Sequence, residues 1–399
     1  MLGSRSGSTR RLIQLCIGYF ISYVATGVLV KVFTGGIRQP KMSEVAYLMN
    51  NTLGSSLLCV AVVLLFGWLG LKSARKVRVL GVEVPSEVRY IIPSGICTAV
   101  IIPATTMLYL LPISVMVAMV IMRGCVIIIS RAVDAIQIRQ GILRKKVYAE
   151  ENWAVVFALL AVGSQIMLIP IMARLAAAGV DVSRFGINVK ALAGSFDFVH
   201  HPLAMAILSS YVVAYSLRIY IMNFFKNTRP RGVEQDNRGF FAVEQIAASA
   251  TMLVVGFLVV QGPVWFGWTN PAVVEFRAAA FQPDLPALLA GAPYALVAFF
   301  SVFLFMFHGR TATFAGLVNR LTSLLAGTTA TILLAWWFGL RPPAITDWVS
   351  LGFILVAVGF LSRAERRRVA EPDAPAVLAP AETVAMGDVV ALPAPEDSH

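Results

Sequence analysis

Apolar residues occur in long unbroken runs along this chain, without the alternation of a half-buried strand or the one-sided stripe of a soluble helix. Ten runs approach or exceed the roughly 20 residues that a helix needs to cross a bilayer core. They cover 12–33, 48–71, 90–110, 112–131, 153–173, 202–225, 240–261, 287–307, 312–338 and 343–362. Hydrocarbon offers backbone N–H and C=O groups no partner, so each run predicts a helix that satisfies them internally. The expected fold is an all-α integral membrane protein with ten transmembrane helices. The N-terminal run is too long for the apolar part of a signal peptide and is read as the first span.

The polar positions divide the rest. Residues 1–11 form a basic tail and 176–201 a polar loop. Residues 363–399, dominated by Ala, Pro and acidic side chains, read as a disordered tail. Lys and Arg number 33, of which 21 fall on the terminal tails and the loops of the same side, seven on the opposite loops and five inside spans. This asymmetry predicts cytoplasmic termini, and the even number of spans agrees. The pattern fits a plasma, inner or endomembrane alike.

The two halves resemble each other. VIMRGCVIII (120–129) aligns with LVNRLTSLLA (317–326), so that Arg123 falls on Arg320. EENWAVVFALLAVG (150–163) matches TDWVSLGFILVAVG (346–359) with a small gap, bringing Trp153 onto Trp348. The matched helices are five spans apart, an odd number, so the repeats have inverted topology: five helices in 12–175 and five in 202–362. Transporters use this arrangement to build a midplane site that can face either side in turn.

Composition narrows the class. The chain of 399 residues is 58% hydrophobic and 14% charged, against about 25% charged in a soluble domain. The net charge of +12 resides between spans, which assigns it to topology and not to nucleic acid. Cys16, Cys59, Cys97 and Cys125 all lie within apolar runs and lack metal spacing, so neither a disulfide framework nor a metal site is expected. The four histidines have no ligand-type spacing, and no GxxxxGK[ST] loop is present. Enzymatic chemistry, ATP-driven pumping and cofactors are not expected. The partners expected are a small-molecule substrate and the lipid bilayer, and a homodimer is compatible with the pattern.

Candidate chemistry lies in the few polar residues within spans. Arg123 is about 16 Å from the start of its span at Pro112. A central Arg costs at least about 2.5–3.5 kcal/mol, so it should face a partner or a polar cavity. Guanidinium forks suit carboxylate and phosphate, so Arg123 and Arg320 are candidate anion ligands. Asn319 adds an amide beside Arg320. Glu244 and Gln245 supply the opposite polarity, Glu244 as a partner for a basic residue, a proton carrier or an interfacial residue. Asn50, Asn51, Tyr109, Tyr211 and Tyr215 are further cavity candidates. Lys31 and Arg131 lie near span ends and can snorkel, whereas Arg218 sits about two turns from one end.

Ten spans in two inverted repeats resemble the drug/metabolite transporter superfamily over nearly all of 12–362. The nearest branch is solute carrier family 35, the nucleotide-sugar-transporter-like proteins. MRGCVIII (122–129) and the polar third span PSGICTAVIIPATTMLYLLPIS (93–114) carry that likeness. GLVNR (316–320) resembles the GALNK motif of Golgi GDP-mannose transporters, with Arg for Lys, while AVEQ (242–245) stands where their FYNN motif would be. The resemblance implies a secondary transporter moving a small anionic solute by alternating access. It leaves open amino-acid or amphipathic-drug export on the same fold, and a non-transporting receptor or assembly protein.

Overall fold

The computed structural model describes residues 9–73, 76–79, 82–110, 115–143, 147–180, 202–229, 235–340, 342–343 and 345–370. Side chains at 106–110, 115–121 and a few positions in α5, α6 and α12 lie outside that description. The helices are α1 (Thr9–Thr34), α2 (Glu44–Leu65), α3 (Val88–Leu110), α4 (Val115–Arg139), α5 (Ala149–Ala177), α6 (Pro202–Asn227), α7 (Asn237–Trp265), α8 (Pro271–Phe281), α9 (Leu285–Leu289), α10 (Gly291–Phe305), α11 (Ala312–Phe338) and α12 (Ile345–Ala370). Strands β1 (Lys76–Val79) and β2 (Val82–Pro85) pair antiparallel in the loop before α3.

Eight helical segments are long and apolar enough to cross a membrane. α4 and α5 are helices of 25 and 29 residues. Large apolar side chains face outward along the long helices, among them Ile13, Ile17 and Ile21 on α1 and Leu253, Val254 and Phe257 on α7. Such a surface suits lipid and not water. The chain is therefore a multi-pass, predominantly helical membrane protein. Trp265, Trp268, Trp336 and Trp337 are exposed at one end of the bundle, as an interfacial aromatic belt requires.

Local chemistry sets the helix ends. Ser43, Asp236, Asn270, Asp284 and Thr311 each accept a backbone N–H from the first turn of α2, α7, α8, α9 and α11, satisfying donors that a helix leaves free. Gly339, at φ 63, closes α11 in the left-handed conformation. The eighth expected span, 287–307, is divided between α9 and α10, which meet at Ala290, and the short α8 precedes them where a loop was expected. The division permits a close approach: a Cβ on Gly291 would lie 2.5 Å from the Asn51 carbonyl oxygen of α2.

Packing follows a regular scheme. α5 lies along α12, α3 against α6 and α7, and α1 against α10 and α11. α2 packs on α10, while α4 touches α5, α6 and α11. The α5–α12 seam is lined by Ala154, Ala158, Ala161 and Ala357, all fully buried, small residues that let two helices approach in lipid. Phe225, Phe240 and Phe241 fill the core on the α3, α6 and α7 side.

Polar networks tie both ends. At the face where Thr9 donates to Glu365, joining the first and last helices, Asp134 accepts the Ala312 and Thr313 N–H groups at 2.8 and 2.6 Å. There Thr311 donates to Glu151, which pairs with Arg368, and Arg310 pairs with Glu365. At the far face Arg38 makes a bidentate pair with Asp284, at 3.0 and 2.9 Å.

Candidate functional site

Between the two networks, α1, α4, α6 and α11 bring two arginines and four tyrosines together. Thr311 caps α11 and starts it in register, and the helix then carries Asn319 and Arg320 into the bundle interior, both buried. Arg320 donates through Nη2 to the Tyr215 hydroxyl at 2.5 Å, and its guanidinium carbon lies 5.0 Å from the centre of that ring. Tyr211, one turn earlier on α6, packs against Tyr215 with centroids 5.1 Å apart. From α1, Tyr19 donates to Asn319 Oδ1 at 3.3 Å and packs 5.5 Å from Tyr23. The Asn319 amide donates to Ser301 of α10 at 3.1 Å.

Arg320 therefore sits in the field of four phenols, Tyr215, Tyr211, Tyr19 and Tyr23. Arg123 enters the same space from α4. Tyr19 lies within electrostatic reach of both guanidiniums, and a Cβ on Gly327 of α11 would stand 3.8 Å from Arg123 Nη2. Among the described residues no carboxylate pairs with Arg320, and its buried Nε finds no partner. Phenol oxygens and ring faces solvate a cation, but they do not neutralise it. A buried charge held without a counter-charge is costly, so the arrangement favours an incoming anion. The guanidinium offers a fork for carboxylate or phosphate, and the hydroxyls can turn to donate to it.

Glu244 takes no part in this cluster. Fully buried on α7, it receives two bonds from Arg218 of α6, at 2.9 Å from Nε and 3.1 Å from Nη2. Ser94 of α3 adds a third at 2.6 Å, and the Thr98 hydroxyl lies 3.4 Å away. Gly95 makes the junction: a Cβ there would stand 2.6 Å from both the Ala247 Cβ and the Glu244 carbonyl oxygen. Arg218, whose position in its span was ambiguous, is thus the partner of Glu244, and the pair pins α3, α6 and α7 together.

The other candidates separate. Gln245 is buried on α7 with Nε2 unpartnered, as is the Ser249 hydroxyl one turn on. Asn50 lies toward the far face, where its Oδ1 accepts the Asp284 N–H at 2.9 Å. Asn51 donates to Tyr47 and to the Ala290 carbonyl, tying α2 to the α9–α10 junction. Tyr109 belongs to α3, and its side chain lies outside the described residues. Arg131 donates to Asn152, and Lys31 is exposed. Sequence reasoning missed Tyr19 and Tyr23. Their signal was present: YFISY (19–23) on α1 and YVVAY (211–215) on α6 each place two tyrosines on one helix face.

The chain matches no protein-family profile and no curated protein.

Proposed function

We propose that the protein is a secondary-active transporter that carries a small anionic organic solute by alternating access. The observation that carries this reading is Arg320, a buried guanidinium surrounded by phenols and paired with no carboxylate among the described residues, with Arg123 on the opposing helix.

Ten spans in two inverted five-helix repeats account for the packing. Under a five-span offset α1 exchanges with α6, α2 with α7, α3 with α9–α10, α4 with α11 and α5 with α12. The contacts α1–α11 and α4–α6 then correspond, as do α1–α10 and α3–α6, and α2–α10 and α3–α7. The pairs α5–α12, α4–α11 and α2–α7 map onto themselves. Tyr19 and Tyr23 exchange with Tyr211 and Tyr215, and Arg123 with Arg320. This internal symmetry supports the drug/metabolite transporter-like architecture, and the Lys and Arg asymmetry supports cytoplasmic termini.

In this scheme the solute's negative group binds between Arg123 and Arg320, near the axis relating the repeats. Opening toward one side parts the Arg38–Asp284 pair. Opening toward the other parts the Asp134, Glu151 and Arg368 network. Each repeat supplies one arginine and one tyrosine pair, so the anion meets similar chemistry in both states.

Counterflow into proteoliposomes, with a panel of labelled organic phosphates, dicarboxylates and amino acids, tests the reading. An anionic class should exchange, and Arg320→Gln and Arg123→Gln should each abolish the exchange. Tyr19→Phe and Tyr215→Phe should raise KM while the proteins remain folded. Undiminished flux in both arginine variants would refute the assignment.

A further inference from the structure

A second basic site lies on the outer surface, where α5 and α12 meet at the face carrying Thr9 and Glu365. Here Ala149, Glu150 and Trp153 of α5 and Phe360, Arg363, Arg366 and Arg367 of α12 line a pocket of about 610 Å³. Trp153 stacks on Phe360 with centroids 6.3 Å apart and an interplanar angle of 25°, and Phe157 also stacks on Phe360, at 5.5 Å. The aromatic wall is therefore fixed. Phe360, Arg363 and Arg367 recur at helical spacing along one face of α12. Arg367 pairs with Glu150 at 2.5 Å, yet keeps 65% of its side chain exposed. Among the described residues neither Arg363 nor Arg366 pairs with a carboxylate.

An apolar track runs from this pocket toward the bundle middle. On α5 it consists of Trp153, Val156 and Leu160, and on α12 of Val356 next to Phe360, with Val156, Leu160 and Val356 each exposed. A ligand seated here would have its charged end against the arginines and an apolar end along these side chains, at the depth where the long apolar helices end. The related stretch of α5 lacks the charge: after the shared AVG it reads SQIMLIPIM (164–172), where α12 reads FLSRAERRR (360–368). The basic cluster of Arg363, Arg366, Arg367 and Arg368 thus has no counterpart in the matching stretch 164–172.

The geometry points to a binding site for a phospholipid with a net negative headgroup. Arg363 and Arg366 take the headgroup phosphate, Trp153 and Phe360 hold the glycerol region, and the acyl chains follow the Val156, Leu160 and Val356 track. Basic pockets between membrane helices bind anionic headgroups in this manner, and Trp suits the interfacial depth. The site stands apart from Arg123 and Arg320 and does not depend on what they bind. Because the lipid bridges α5 and α12, its occupancy should strengthen the seam between them.

The test is native mass spectrometry of the purified full-length protein, titrated separately with phosphatidylglycerol and phosphatidylcholine. The wild type should bind phosphatidylglycerol more tightly, and Arg363→Gln/Arg366→Gln should lose about 30-fold of that preference, equivalent to about 1 kcal/mol per arginine. Both arginines are exposed, so the double variant should fold, and an unchanged melting temperature in lipid-free detergent verifies this. Trp153→Ala should weaken both lipids. Equal binding of the two lipids, or a preference unchanged in the double variant, would overturn the proposal. Displacement of the lipid by inorganic phosphate or glycerol phosphate at equal concentration would overturn it too, by identifying a site for soluble phosphate.

Discussion

Arg218 and Arg320 are both buried guanidiniums inside the membrane bundle, and their removal should have very different consequences. Arg218 donates two bonds to Glu244, a carboxylate with no exposure. Arg218→Met leaves that carboxylate with only Ser94 and Thr98, and stranding one partner of a buried pair costs about 3–5 kcal/mol. Arg320→Met strands no carboxylate. It loses the bond to Tyr215, about 1.5–3 kcal/mol for a charged donor, and a ring contact of up to about 2 kcal/mol. Against this, it relieves the desolvation of a guanidinium, several kcal/mol. The net change should be near zero. Thermal unfolding in detergent reads the difference directly. At about 2 °C per kcal/mol, the lower end of the range for large domains, Arg218→Met should melt about 6–10 °C lower, while Arg320→Met should melt within about 2 °C of wild type and carry no solute. Restoring Arg218→Met with Glu244→Leu should recover most of the lost stability, since a buried pair replaced by apolar residues is often neutral. If Arg320→Met falls as far as Arg218→Met, Arg320 is a structural residue and the anion site loses its main support.

Two further outcomes follow from the geometry. Gly95→Ala places a methyl 2.6 Å from the Ala247 Cβ and the Glu244 carbonyl oxygen, so α3 and α7 must separate, at about 1–3 kcal/mol, read as a lower melting temperature that Ala247→Gly partly restores. At the far face the Arg38 guanidinium holds the Asp284 carboxyl below its usual range. A depressed acid contributes stability that is full above its ordinary pKa of 3.8 and is lost as pH falls through the folded value. Acid titration below about pH 4 should therefore show a smaller loss of stability in Asp284→Asn than in wild type, and identical profiles would refute the pairing.

Much of the architecture was legible in the chain because lipid enforces it. A run of about 20 apolar residues leaves its backbone no partner but itself, so the positions of α1, α2, α6, α7, α11 and α12 follow from hydropathy alone. Caps at Ser43, Asp236 and Thr311 were of the residue types that satisfy a first turn. The likeness of the Arg123 and Arg320 segments, and of the Trp153 and Trp348 segments, also stood in the sequence. The division of 285–305 at Ala290 was not legible, since its apolar pattern continues across the break at which Gly291 approaches α2.

Partner choice belonged to the tertiary structure. Five basic residues inside spans and one acid within reach gave Glu244 several eligible mates, and periodicity assigns a residue to a helix face without saying which helix it meets. Packing of α3, α6 and α7 gives Glu244 to Arg218, and the same packing leaves Arg320 to Tyr215, Tyr211, Tyr19 and Tyr23. The physical reason is that burial in a membrane is a property of one helix, written in its composition, whereas pairing of charges depends on helices distant in sequence being brought within 3 Å. Composition determined that the arginines had to avoid lipid; only the bundle decided which of them keeps a carboxylate and which is left facing phenols.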